Sequence, residues 1–457
     1  MTNIFLITVD DLRADSVGYI NKNKDNTPNI DVFAEENVCF TNAIATGPRT
    51  TLSFPGILYS SYPFEYFTQK KYRYEKSLSS ILKDSGYKTA AFNSNPHFRS
   101  WGFSKGFDFF EDFLFETSSR REKSIEKIKR KAAKKLGREN FLVKIFLKIL
   151  SHTSSQIYLP YANAEKTTEE SLKWIKKNKN NNLFCWIHYM DPHYPFLPPE
   201  EFLPKKINNK QKLMANRFHK RAEKYDELPP HKIKNVLIDL YNAEVKYFDN
   251  YFGNLIKSLK ELNLYDDSVI VFTSDHGELF GDYGMHGHRY DVLYQKQLQV
   301  PLVIKTSTKK SLSVNHPVSL IDISYTISQL AGIKTDQLNG KHLLKEKRSY
   351  ILSEAFKRES LPSKNKSKSG IIDKKNEMMI SCQKNEWKLI IDDIHKRKEL
   401  FNLKNDPLET ENLFEEKGVI KELIEIVEYH KRQIQKGYNI EQDLKDRIKK
   451  LKISGKI

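Results

Sequence analysis

The sequence predicts an α/β protein: a doubly wound, mostly parallel sheet flanked by helices, with a smaller α+β unit at the C-terminal end. Three observations predict it. Short apolar, β-branched runs alternate with helix-like segments over most of the chain, the pattern of successive βαβ units. Those runs are nearly all apolar, as strands buried on both faces of a parallel sheet should be. After Gly332 the texture changes to clustered short strands followed by a charged helix. A chain of 457 residues suits one large domain with an appendage, here divided as 1–335 and 336–457.

The strand candidates are Asn3 to Val9, Lys88 to Phe92, Leu183 to His188, Ser268 to Thr273 and Pro301 to Ile304. Helices are expected between them. Thr27-Pro28 places a cap before a proline at the first helical position and opens a helix through Glu36. Ser77 to Ser85 reads as a helix stopped by Gly86. Thr167 with Glu170 reads as a capping box. Val236 to Leu262 carries apolar residues at helical spacing. In the C-terminal unit the strand candidates are Tyr350 to Glu354, Met378 to Ser381 and Trp387 to Asp392, with a charged helix from Val419.

Two excursions interrupt the pattern, at about 118–155 and 200–231. The first is a basic run followed by the apolar Phe141 to Leu150, in which Lys144 and Lys148 share a helix face. It reads either as a helix lying on an anionic membrane or as a cover for the core with its lysine stems snorkelling. The second is Lys- and Pro-rich and reads as a long surface excursion.

Hydrophobic residues make up 39% of the chain, enough for a large core, so global disorder is excluded. The net charge of +18 favours anionic partners. No helix-turn-helix, zinc-finger or RNA-binding signature accompanies it, so nucleic acid is not expected. Cys39, Cys185 and Cys382 are too scattered for a disulfide framework or a zinc cluster, and Cys39 and Cys185 look like buried thiols. The N-terminus lacks a basic n-region and no stretch is apolar enough to span a bilayer. The expectation is a cytoplasmic protein, with the 118–155 excursion a candidate peripheral membrane contact. Oligomeric state is not legible.

Asp10-Asp11 directly follows the first strand, and Asp275-His276 follows the Ser268 to Thr273 strand in the same way. In open α/β sheets ligands bind at the carboxyl ends of strands. Paired carboxylates there are costly unless they are solvated or share a cation. Two acidic strand ends with an imidazole make a ligand set for one divalent metal, Mn, Ca, Zn or Mg.

Several segments, in order, resemble the sulfatase family of the alkaline phosphatase superfamily. They are Thr8 to Asp15 (TVDDLRAD), Gly47 to Pro55 (GPRTTLSFP), Tyr189 to Pro195 (YMDPHYP), Tyr241 to Gly253, Ser274 to Gly277 with Gly284 to His288 (GMHGH), Val318 to Gly332, and Leu400 to Leu413 (LFNLKNDPLETENL). The resemblance implies an alkaline phosphatase-like fold and a hydrolase of sulfuric or phosphoric esters. It implies metal ligation by Asp10, Asp11, Thr50, Asp275 and His276, a nucleophile at Thr50, and substrate contacts from His193 and His288. His286 competes with His288 for that role. The substrate implied is an anionic ester, for example on a polysaccharide or a lipid head group.

The chain departs from the best-known sulfatases at one place. Where they carry Cys or Ser, then Pro and Arg, this sequence has Thr50, Leu52 and Phe54, so formylglycine cannot form. The expectation is an unmodified Thr50 nucleophile, with Thr51 beginning the next helix and capping it. Rival activities are phosphodiester or phosphonate monoester hydrolysis and phosphoryl-group transfer. A non-catalytic relative that binds acidic glycans is the rival from another class.

Overall fold

A computed structural model describes residues 2–68, 77–113, 159–225, 227–308, 311–334, 336–356, 378–415, 418 and 420–453. The 118–155 excursion, Phe141 to Leu150 included, lies outside the described residues.

The large sheet has the order β4-β3-β5-β1-β6-β7-β2-β8, with β9 also pairing β2. Its strands are β1 (Ile4–Val9), β2 (Val38–Ile44), β3 (Lys88–Phe92), β4 (Phe109–Glu111), β5 (Leu183–Tyr189), β6 (Val269–Ser274), β7 (Gln299–Lys305), β8 (Leu312–Val314) and β9 (Val318–Ser319). β1 lies between β5 and β6 and is parallel to both. β7 runs antiparallel to β6 and β2. The apolar run Pro301 to Ile304 was expected to be one more parallel strand; burial on both faces leaves direction unspecified, and a direct return from β6 reverses it.

The longer helices are α1 (Pro28–Glu36), α2 (Thr50–Tyr59), α3 (Leu78–Asp84), α4 (Ala164–Asn178), α5 (Asn209–Tyr225), α6 (His231–Glu261), α7 (Ile323–Leu330) and α8 (Ile420–Ile453). α1 begins at its proline as the sequence implied. Ser77 caps α3 through Ser80 N–H, and Gly86 beyond it takes φ 87°. The capping box at Thr167 is corrected. Asn163 caps α4 by accepting from Lys166 N–H at 3.1 Å, and Thr167 is buried inside the helix. The 200–231 excursion is also more than surface: α5 turns Ala215, Asn216, Phe218, His219 and Ala222 into the interior. Of the thiols, Cys185 is buried and Cys39 half-buried.

Alternation along β1 divides the core between the two faces of the sheet. Ile4 and Leu6 pack with Leu52, Phe54 and Ile57 of α2 and Ile323 and Ile327 of α7. Phe5, Ile7 and Val9 pack with Phe33 of α1, Ile175 of α4 and Phe248 and Phe252 of α6.

The C-terminal sheet is antiparallel and four-stranded: β10 (Ile351–Phe356), β11 (Met378–Lys384), β12 (Trp387–Asp392) and β13 (Arg397–Asn402). α8 covers one face through Leu423, Val427 and Ile434. Ala355, Ile390 and Phe401 of the other face join the main core. Among the described residues no helix is long and apolar enough to cross a membrane.

Candidate active site

The carboxyl ends of β1, β5, β6 and β2 lie on one edge of the sheet, and the sequence-derived candidates follow them. Asp10 and Asp275 extend the ladder by one residue each: Asp10 N–H donates to Tyr189 O at 2.9 Å and Asp275 N–H to Val9 O at 3.1 Å. Their carboxylates are thereby set side by side. Ser274 ties the two turns together, its hydroxyl meeting Val9 O, His276 O and Leu12 N–H at 2.9–3.0 Å. Gly277 is required where it stands, because an added Cβ would collide with the Lys296 carbonyl.

One ligand atom each from Asp10, Asp275 and His276 fall within 4.8 Å of one another. His276 Nδ1 faces Asp11 Oδ1 at 2.9 Å and Gly277 O at 3.1 Å. Both are acceptors, so Nδ1 carries the proton and Nε2 turns a lone pair into the cluster. Thr50 Oγ1 lies 3.2 Å from that Nε2 and 3.5 Å from Asp10 Oδ1. It is the first residue of α2, where unpaired N–H groups and the helix dipole favour negative charge.

Thr51 does not cap the helix, as was expected. α2 starts one residue earlier, Arg49 occupies the cap position, and Thr51 is buried within the first turn.

Asp11 turns elsewhere. Its φ of 62° swings the chain out of β1, and Tyr241 holds the turn by donating its hydroxyl to Asp11 O at 2.8 Å. Asp11 Oδ2 faces His288 Nδ1 at 3.4 Å and His193 Nε2 at 3.8 Å, forming a second group of potential ligands. His193 Nδ1 donates to Tyr194 O at 2.6 Å, which leaves its Nε2 toward the site. The His193 and His288 rings are 5.2 Å apart. His286 meets His219 instead, at 3.0 Å.

Other residues of the site were not singled out from sequence. His188 is fully buried beside Thr8, its Nε2 3.5 Å from Asp10 Oδ2. Glu278 Oε2 lies 2.9 Å from His288 Nδ1. A polar residue near the end of an apolar strand, and an acid two residues beyond a candidate ligand histidine, were the available signals.

Electrostatics favour a cation here. Burial alone would raise the Asp10 carboxyl, but His193, His188 and His276 hold it below the usual carboxylate range. Burial and the Asp10 charge push Asp275 well above it. Asp10 Oδ2 and Asp275 Oδ2 are buried without a hydrogen-bond donor. Two adjacent buried carboxylates, one of which must take a proton, are a site that a divalent ion fits.

Fold and site together define an α/β protein of the alkaline phosphatase-like architecture, with buried acidic and histidine groups that could hold a metal at the carboxyl edge of its sheet. More narrowly, the chain belongs to the sulfatase family, whose profile matches residues 2–333. It is 25% identical over 359 residues to an ulvan-active sulfatase from Formosa agariphila, covering 75% of this chain and 64% of that one. It is 24% identical over 454 residues to an arylsulfatase from Clostridium perfringens, covering 90% of both. Its fold is similar to that of a phosphonate monoester hydrolase from Silicibacter pomeroyi, with a TM-score of 0.68, 18% identity and 96% of each chain covered.

Proposed function

We propose that the protein hydrolyses sulfuric or phosphoric esters on an anionic substrate through Thr50 as an unmodified nucleophile. The observation that carries this reading is the position of Thr50 Oγ1 at a helix N-terminus, beside Asp10 and His276. Asp10, Asp275 and His276 would hold the divalent ion, with Thr50 touching it and Asp11 a further ligand beside His276. The bound ion would lower the cost of the Thr50 alkoxide and screen the ester's charge.

In this reading Thr50 gives its hydroxyl proton to water as Oγ1 forms a bond to the sulfur or phosphorus and the bond to the leaving oxygen breaks. His193 or His288, entering the step as an imidazolium, gives that oxygen a proton, and water then cleaves the bond between the sulfur or phosphorus and Thr50 Oγ1, returning a proton to the threonine. A phosphothreonine is released this way readily. A sulfothreonine has no aldehyde hydrate to expel it, so the threonine favours phosphorus substrates while the family favours sulfate.

A polymeric anion suits the outer face of α5, where Lys210, Arg217, Lys220 and Arg221 are exposed. The ulvan-active relative points toward a polysaccharide. We assign catalysis to residues 1–335 and a supporting role to 336–457.

The test is turnover of an aryl sulfate, an aryl phosphate diester and a phosphonate monoester under Mn, Ca, Mg and Zn. The Thr50→Ala variant should keep its metal and fold and lose several orders of magnitude in kcat, as when a nucleophile is removed from a group acting as a unit. Near wild-type turnover in Thr50→Ala would remove threonine from the mechanism.

A further inference from the structure

α5 contributes a side chain that touches both substrate-side loops. His219 is fully buried, and its Nδ1 lies 3.0 Å from His286 Nε2. Its ring stacks on Tyr194, with centroids 4.8 Å apart and planes at 14°, and meets Phe196 edge-on at 5.2 Å. Tyr194 is the residue whose carbonyl accepts the His193 Nδ1 proton. His286 stands two residues before His288, in a loop closed by the Gly287 N–H to Leu279 O bond at 2.9 Å. Asn216, on the same helix face, closes a two-way bond with the backbone of Phe196 at 2.8 and 2.9 Å. Thus α5 grips the His193 loop by backbone and by ring, and the His288 loop through one imidazole.

We propose that His219 is a positioning residue, which fixes the His193 and His288 rings relative to each other through Tyr194 and His286. The proposal rests on the assignment of those two histidines to the ester. Histidine meets both demands in one compact ring. A flat ring is needed to stack on Tyr194, and an in-plane nitrogen is needed to reach His286. Phenylalanine keeps the stack and loses the bond; glutamine keeps a polar group and loses the stack. The outer nitrogens, His219 Nε2 and His286 Nδ1, are buried without a hydrogen-bond partner, so the bond between the rings is the polar contact the structure gives each of them. Burial holds both imidazoles toward the neutral form, which suits a shared N–H···N bond.

The experiment follows the imidazole nitrogens in full-length, metal-loaded protein carrying 15N-histidine, with signals assigned through His193→Gln and His288→Gln. His219→Phe and His219→Gln are compared with wild type, each checked for metal content and melting temperature. The expected result is displacement of the His193 and His288 signals in both variants. In His219→Phe, kcat should fall by roughly a hundredfold with KM little changed, the scale of loss from a misplaced catalytic group. Unchanged His193 and His288 signals in a folded His219 variant would overturn the proposal. A wild-type protein inactive on every ester would instead sink the hydrolase reading, and the imidazole signals would still decide the role of His219.

Discussion

At the scale of single residues, burial decides which groups the protein must manage. Asp191 is buried, and burial raises its carboxyl to about 7. Glu244, also buried, is pushed up by burial and by Asp191. An acid whose folded-state value is raised stabilises the fold fully below its ordinary value, and that stability is lost as pH rises through the folded value. Asp191 should therefore add a downward slope to wild-type stability between about pH 4 and about pH 7. Asp191→Asn should flatten that slope, read from urea denaturation across the interval. An unchanged slope would show that Asp191 is ionised in the folded protein. The sequence made Asp10 and Asp275 legible because a carboxylate ending an apolar run has few innocent explanations. It hid His188 and His219. The first lies inside the strand it serves, and the second lies in a Lys-rich stretch whose composition resembles surface.

At the scale of elements, long apolar runs announced β1, β3, β5 and β6, and proline announced the start of α1. β2 escaped notice because its sequence VCFTNAI mixes buried and half-buried positions around a register shift between Phe40 and Ala43. β13 escaped because RKELFN is half charged. The DPLETENL segment now has a physical role. Glu409 Oε1 takes Lys388 Nζ of β12 at 2.7 Å, and its Oε2 takes Gln295 N–H at 2.7 Å and the Tyr283 hydroxyl at 3.0 Å. The small sheet is thereby clamped to the loop that carries His286 and His288. Both charges are essentially inaccessible to water. Lys388→Met should destabilise the fold by about 3–5 kcal/mol, because it leaves Glu409 buried and unpaired. Lys388→Met combined with Glu409→Gln should recover part of that loss. Chemical denaturation reads both, and a double variant less stable than the single one would contradict the clamp.

For the whole molecule, the site joins segments remote in sequence, with residues 10, 50 and 275 meeting at one sheet edge. An ion bound there ties the first strand to the sixth and favours the folded chain. Chelation should lower the melting temperature. At an ion concentration a hundred times its Kd, the ion contributes about 2.7 kcal/mol. Asp275→Asn should abolish the shift on chelation, and Thr50→Ala should keep most of it. Calorimetry with and without chelator decides; an equal shift in wild type and Asp275→Asn would place the ion elsewhere. The C-terminal sheet shares the main core, so one cooperative transition is the expected form of that melt.

The reversed strand β7 has a consequence for how such an enzyme diversifies. β6 ends at the reaction edge, and its neighbour β7 starts from that same edge, so residues 275–298 never cross the sheet. Both ends of this segment are anchored by strand pairing, and nothing between them builds the sheet. A parallel neighbour would have required a crossover helix, whose length and packing tolerate little change. Here the partly exposed positions of the connection can change sequence, while Gly277, the buried Leu279, Phe280, Val292 and Leu293, and the Tyr283 hydroxyl that meets Glu409 stay as the scaffold requires. That makes the partly exposed Met285 and Arg289 to Asp291, which flank His286 and His288, the natural positions for retuning substrate preference, whether by selection or in the laboratory.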